Sequence, residues 1–383
     1  MKKIVFAPDS FKGTMTSAQV CETLDAAFKK IMPDIQTVKI AAADGGEGTT
    51  DAFLYALGGE KITVNSKNPL FEDITASYGL LKDNTAVIEL AAASGLTLIE
   101  NRKDPLSAST FGTGLLMLDA LSRGCKKIIL GLGGSASSDG GAGIMAALGA
   151  KFTDLHNCEV PPSNKGLGSL EHIDLTALDP RLKTCEITVV SDVVNVLCGE
   201  GGAAHVFGPQ KGASGQIVHL LEANLLRYAD ILQKKTNRSI KNIPGTGAAG
   251  GVLASLLSFP EYINCRVTSG IDAVLDAVNF DFVISDCDLI ITGEGRFDSQ
   301  SLSGKAVSGI AKRAKLQNKP VIVIAGAAEG YDADIYKLGI SAVFCAVSGI
   351  YTSFEEIKQT CFEDLSRTAE NIARIFTISN WFL

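Results

Sequence analysis

The nine cysteines form no CxxC pair, and the four histidines show neither HExxH nor any other ligand spacing. An odd, scattered set of thiols fits a reducing compartment and small apolar packing rather than a disulfide frame, and structural zinc is excluded. No apolar stretch approaches the roughly 18 residues of a membrane span, and Met1 to Ala7 is too short an apolar run for a signal peptide. There is no block of Lys and Arg and the net charge is −7, which excludes nucleic acid and membrane surfaces as main partners. The chain also lacks GxxxxGKS/T and the HRD, DFG and VAIK set of protein kinases. The common phosphoryl-transfer scaffolds are thereby excluded, although their chemistry is not. These absences predict a soluble, cytoplasmic protein whose chemistry leans on Asp, Glu and Lys.

What stands out is Gly131 to Gly143, GLGGSASSDGGAG, in which six of thirteen residues are glycine. It lies between an apolar run, Ile128 to Leu130, and a helix-like segment, Ile144 to Leu148. Glycines at this density let backbone amides turn toward one point, and Ser135, Ser137 and Ser138 add hydroxyls around it. The N-terminal amides of the next helix would join the same anion site. Gly133, Gly134, Ser135, Ser137, Ser138 and Gly140 are therefore candidates to hold a phosphate chain. A small-residue turn between closely packed helices is the alternative, but such a turn has no need of the carboxylate Asp139, whereas a nucleotide-bound Mg²⁺ does.

With 383 residues and 46% apolar content, the chain is long enough for two or more domains. Lys3 to Ala7 reads as a buried strand, and Thr16 with Gln19 makes a capping box for a helix carrying Val20, Leu24, Phe28 and Ile31, which Pro33 stops. Between them lie Asp9, Ser10 and Lys12, at the carboxyl end of a strand, where open α/β sheets bind ligands. A second strand runs into Asp44-Gly45-Gly46-Glu47-Gly48-Thr49, with Asp44 the stronger candidate for function and Glu47 readable as first-turn helix charge. From about residue 62 the pattern shortens into alternating stretches, which suggest mixed or antiparallel strands. Ser94, Thr110 and Thr113 each read as helix caps or as hydroxyl donors. Glu186 to Val190 forms a β-rich run ending on Ser191-Asp192. Asp192 is a general base, a metal ligand or an Asx-turn residue. Gly208-Pro209-Gln210-Lys211-Gly212 offers Lys211 as a phosphate contact.

Toward the C-terminus, Asp288 to Thr292 reads as a strand feeding a loop with Glu294, Arg296 and Asp298, then Lys305 at a helix entry, with strands at Val321 to Ala325 and Ala342 to Ala346. The expected fold is α/β. A five-stranded parallel, flavodoxin/Rossmann-like sheet from residues 1–62 and 286–383 is interrupted by a glycine-rich mixed α/β insertion, 63–285, with the active site in the cleft between the two.

Ala7 to Gly13, Ala43 to Thr49, Gly131 to Gly143 and Ile291 to Asp298 together resemble the glycerate kinase type 1 family, in the family's order and over essentially the whole chain. Ser191-Asp192-Val193 and Gly208 to Gly212 belong to the same likeness. The resemblance implies ATP-dependent, Mg²⁺-assisted phosphorylation of D-glycerate to 2-phosphoglycerate or 3-phosphoglycerate by a monomer or homodimer. On that basis the loop Gly133 to Gly141 holds ATP phosphates with Lys211, and Asp139 or Asp192 serves Mg²⁺ or acts as base. Asp9, Ser10, Lys12 and Asp44 orient glycerate, Lys12 and Asp44 with a catalytic part, while Glu294, Arg296, Asp298 and Lys305 close the site. Two other classes compete. A nicotinamide oxidoreductase would use the literal GxGxxG at Gly245 to Gly250, although no convincing strand precedes it. A non-catalytic anion sensor would have little reason to place carboxylates beside its phosphate loop.

Overall fold

The structure is a computed structural model and describes residues 1–42, 48–298, 306–330, 333–347, 349, 351 and 353–378. Its strands, in chain order, are β1 (Lys3–Phe6), β2 (Gln36–Lys39), β3 (Gly59–Lys67), β4 (Asp73–Leu81), β5 (Thr85–Glu89), β6 (Lys127–Gly131), β7 (Lys151–Thr153), β8 (His172–Asp174), β9 (Glu186–Val190), β10 (Asn264–Thr268), β11 (Leu289–Phe297), β12 (Val321–Ala328) and β13 (Ile340–Cys345). The chain divides into two compact units. One comprises Met1–Asp44, Asp51–Gly58 and Ser269–Leu383, the other Gly45–Thr50 and Gly59–Thr268.

The first unit carries a five-stranded sheet in the order β13-β12-β11-β1-β2, parallel throughout. Taken in chain order these strands stand 2-1-3-4-5, the flavodoxin-like winding, and the direction of winding reverses between β1 and β11. Helices cover both faces because the strand residues alternate. Ile4, Phe6, Ile291, Ile322 and Ile324 pack against the helices Ser17–Ile31 and Phe354–Ile378, while Val323, Ala325 and Phe297 pack against Val307 and Ala311 of the helix Ala306–Leu316. The first helix starts on the expected capping box, with Gln19 N–H on Thr16 Oγ1 at 3.2 Å and Thr16 N–H on Gln19 Oε1 at 2.9 Å, and it ends two residues before Pro33.

The second unit holds a six-stranded sheet, β10-β9-β6-β5-β4-β3, in which β10, β9, β6 and β5 are parallel and β4 and β3 antiparallel, together with the small antiparallel pair β7-β8. The mixed sheet expected after residue 62 is present.

Two features differ from the sequence reading. The units divide at Gly59 and Ser269 rather than at 62/63 and 285/286. The helix Gly270–Ala277 belongs with the first sheet because Ile271 packs on Gly309 and Arg313 bonds Asp276. Second, the stretch Gly293 to Phe297, expected as a loop, continues β11, paired to β12 as far as Phe297 opposite Ala328. Its glycines serve close backbone approach, since a Cβ on Gly293 would stand 2.0 Å from Ile324 O. Gly293→Ala should therefore lower stability by about 1–3 kcal/mol through overpacking against β12. A denaturant titration would read this as a fall in midpoint at constant m-value.

Candidate functional site

In the second unit the four parallel strands end at one edge, with Glu89 in register with Gly131 and Gly131 with Val190. The glycine-rich turn leaves that edge after β6. Its flank is pinned by Leu96 N–H on Gly134 O at 2.9 Å and Ala136 N–H on Ser94 O at 3.0 Å. Its floor is backbone against backbone. Gly140 N–H bonds Gly250 O at 2.9 Å, and a Cβ on Gly250, itself at φ +70, would lie 2.2 Å from Ser137 O. Gly245 to Gly251 is thus a buried packing element that lets two turns meet, and no strand precedes it, so it is not a dinucleotide fingerprint.

Asp139 is fully buried. Its Oδ2 accepts from Thr110 N–H at 2.7 Å, Thr110 Oγ1 at 2.8 Å and Gly143 N–H at 3.1 Å, while its Oδ1 accepts from Gly141 N–H at 3.0 Å. Burial pushes its pKa up, and these hydrogen bonds pull against that rise. Thr110 also accepts Ile144 N–H at 3.0 Å, so one threonine and one carboxylate tie the helices Phe111–Ser122 and Ala142–Ala147 to the turn.

Lys211 comes to the same turn from the short 3-10 segment Pro209–Lys211. Its Nζ donates to Ser135 Oγ at 2.8 Å and to Ser137 O at 2.5 Å. Burial lowers its pKa to about 8, opposed by the charge of Asp139. The hydroxyls of Ser137 and Ser138 are buried and have no hydrogen-bond partner among the described residues. Two orphaned donors beside a buried ammonium, on a turn of backbone amides, fit the oxygens of a polyphosphate. Asp192 stands exposed two residues beyond the end of β9, on the same edge of the sheet.

In the first unit a cavity of about 380 Å³ opens at the carboxyl ends of β1 and β11, the two strands where the winding reverses. Asp9, Ser10, Lys12, Glu294, Arg296 and Asp298 line it, so all the described acceptor-side candidates converge there. Asp9 N–H is held by Gly293 O at 2.8 Å, and Ser10 N–H donates to Asp9 Oδ1 at 2.6 Å. Arg296 reaches Asp298 at 3.7 Å and is also paired with Glu329. The opposite wall is the last helix, with Phe354, Ile357, Cys361 and Asp364. Asp44 and Lys305 lie outside the described residues.

The family model described as "Glycerate kinase family" matches residues 4–377. The chain belongs to the glycerate kinase family. It is 43% identical over 378 residues to the glycerate 2-kinase of Escherichia coli (strain K12), with 98% of each chain covered. It is 41% identical to the glycerate kinase of Bacillus subtilis (strain 168), with 97% of each covered. Among solved structures it is similar to a protein of Salmonella typhimurium LT2 provisionally named glycerate kinase 2, at a TM-score of 0.90 and 39% identity, covering 99% of both chains. The protein is a kinase.

For this glycerate kinase family member the sequence reading missed two supporting side chains. Asp364, 3% exposed, accepts from Tyr351 OH and from Thr360 Oγ1 at 2.9 Å while facing the first unit's cavity. Its signal was a carboxylate on the same helix face as Cys361, Leu365 and Ala369. Asn164 is fully buried and donates to Ser138 O at 2.9 Å, and an isolated asparagine after Pro161-Pro162 gave no such signal.

Asp139→Asn would turn an amide NH₂ or a single acceptor toward donors that now share two carboxylate oxygens. The variant should lose about 2–4 kcal/mol of stability, read by chemical denaturation. A loss below about 0.5 kcal/mol would show that the carboxylate does not brace the turn.

Proposed function

We propose that the protein transfers the γ-phosphoryl group of ATP to a hydroxyl of D-glycerate, giving phosphoglycerate and ADP. The observation that carries this reading is the pair of buried, unpartnered hydroxyls of Ser137 and Ser138 beside Lys211. The assignment to the type 1 division rests on the order of the motifs. The name of the Escherichia coli relative favours the 2-hydroxyl as acceptor and 2-phosphoglycerate as product. A cytoplasmic location accords with both ligands.

In this reading Gly133, Gly134, Ser135, Ser137, Ser138 and Gly140 surround the phosphates, with Lys211 supplying the positive charge. The acceptor is oriented by Asp9, Ser10 and Lys12, and by Asp44. Lys12 pairs with the glycerate carboxylate, the carboxylates of Asp9, Glu294 and Asp298 accept from its hydroxyls, and Arg296 and Lys305 close over it. The acceptor oxygen attacks the γ-phosphorus in line as the bond to the β-phosphate oxygen breaks, and the hydroxyl proton passes to a carboxylate, for which Asp192 is our first choice. Mg²⁺, bound with the nucleotide, would neutralise charge on the β and γ oxygens. Such an ion needs only one or two protein carboxylates; Asp192, exposed at the sheet edge, would fit that demand only in place of the base role, and a marked rise in KM for ATP in Asp192→Ala would assign it there. Asp139 suits it less well, because the turn's own donors occupy its oxygens, and we assign it the bracing role.

A coupled ADP-release assay should show turnover with D-glycerate and none with simple 2-hydroxy acids. Nicotinamide reduction without ADP release would replace the reading with an oxidoreductase. Asp192→Ala should lower kcat by about 10²-fold or more while KM for ATP stays within about threefold. Unchanged turnover would remove the base assignment. Lys211 is charged below its pKa of about 8, so kcat/KM for ATP should fall as the pH rises through that value, by up to tenfold per unit. Lys211→Met should abolish that limb of the profile.

A further inference from the structure

Glu222 is a buried carboxylate that the proposed reaction does not use. It lies on the helix Gly215–Thr236 and is 9% exposed. Its Oε1 accepts Gly199 N–H at 2.6 Å, and its Oε2, which has no hydrogen-bond partner among the described residues, is 3.6 Å from His205 Nδ1. The same His205 Nδ1 lies 3.0 Å from Gly199 O. Both polar groups of Gly199, which stands at φ +95, are thus held, the amide by Glu222 and the carbonyl by His205. A carboxylate withdrawn from water is costly, and an apolar side chain could fill the space. What the carboxylate adds is a directed bond to one peptide.

That peptide starts a continuous strut. Gly202 N–H bonds Gly199 O at 2.8 Å, the helix Ala203–Phe207 follows, and Gly208 N–H bonds Ala204 O at 3.0 Å. Lys211 N–H then bonds Gly208 O at 3.0 Å, and its Nζ reaches Ser135 and Ser137. From Gly199 to Lys211 each short turn is hydrogen-bonded to the one before, so a shift at the near end is carried to the far end.

We propose that Glu222 is a positioning residue for Lys211. By clamping Gly199 it fixes the base of the strut and with it the depth at which the ammonium meets the serine-bearing turn. It touches neither nucleotide nor acceptor, and its effect is confined to how well the polyphosphate is held. The inference rests on reading that turn as the polyphosphate seat.

Steady-state kinetics of Glu222→Ala, Glu222→Gln, Lys211→Met and the double variant Glu222→Ala/Lys211→Met, each with its Tm, test it. Glu222→Ala should raise KM for ATP about tenfold while kcat and KM for glycerate stay within about twofold. Glu222→Gln keeps an oxygen for Gly199 N–H and should recover most of that loss. In the Lys211→Met background, Glu222→Ala should add nothing further. The proposal is overturned if folded Glu222→Ala keeps its KM for ATP, if it lowers kcat alone, or if it acts by the same factor with and without Lys211. Should Glu222→Ala not fold, His205→Asn replaces it, with a rise in KM for ATP of about three- to fivefold expected and no change overturning the proposal. A raised KM in Lys211→Met beside a normal one in Glu222→Ala sinks the positioning role alone, whereas a normal KM in Lys211→Met sinks the polyphosphate seat and this role with it.

Discussion

The shape of the glycine-rich turn in the second unit depends on one buried carboxylate and the peptide groups gathered around it. A turn rich in glycine has no preferred shape of its own, because each glycine gains more freedom on unfolding than any other residue. Asp139 supplies the missing constraint by accepting from Thr110, Gly141 and Gly143 at once. With those donors committed to the carboxylate, the hydroxyls of Ser137 and Ser138 are left for something else, and the ammonium of Lys211, bonded to Ser135 and to the Ser137 carbonyl, is held at the same turn. From below, Gly250 and Gly251 allow the second turn to press against the first with no side chain between them, and Ser255 Oγ bonds Gly140 O. The turn that we propose as the polyphosphate seat is thus assembled almost wholly from small residues.

The first unit forms its cavity by a different route. Its parallel sheet reverses winding between β1 and β11, so the connections after those two strands leave in opposite directions and open a crevice at their carboxyl ends. Asp9 and Ser10 follow β1, Glu294 and Arg296 lie on the extended end of β11, and the last helix closes the far side with an apolar wall that contains one buried carboxylate, Asp364. Topology alone selects this position. The side chains there decide what it accepts, which is why the fold by itself would not have named a substrate.

Much of this was legible in the chain, for reasons that differ from residue to residue. Thr16, Gln19 and Pro33 delimit a helix by local hydrogen bonding and a missing donor, which act over a few residues and can be read directly. The strands β1, β11 and β12 follow from apolar runs buried on both faces, whereas the outer strands β2 and β13 are mostly half-buried. Lys211 could be placed with the glycine-rich turn only as a guess, and the structure brings them together because the short turns from Gly199 onward carry it there. Other features depend on contacts remote in sequence. Glycine in Gly293-Glu294-Gly295 reads as a loop, yet it serves a strand whose neighbour, β12, comes too close for a Cβ. Asp139 reads as a candidate for Mg²⁺ or for the base, and nothing local in the sequence shows that Thr110, 29 residues earlier, bonds to it. Gly245 to Gly251 carries a literal GxGxxG without the strand that motif needs, and only its partner turn shows what its glycines pack on. The helix Gly270–Ala277 shows its apolar face plainly but not which sheet that face will cover.

The central claim is that the turn after β6 is where polyphosphate binds. Hydrogen–deuterium exchange with and without a non-hydrolysable ATP analogue tests it most directly, because the amides at issue are the proposed donors. The account predicts that peptides spanning Leu132 to Gly143 and Ala203 to Gly212 gain protection on binding, while Gly245 to Gly251, already buried and bonded, changes little. Saturating analogue that leaves Leu132 to Gly143 exchanging as in the free protein would contradict it.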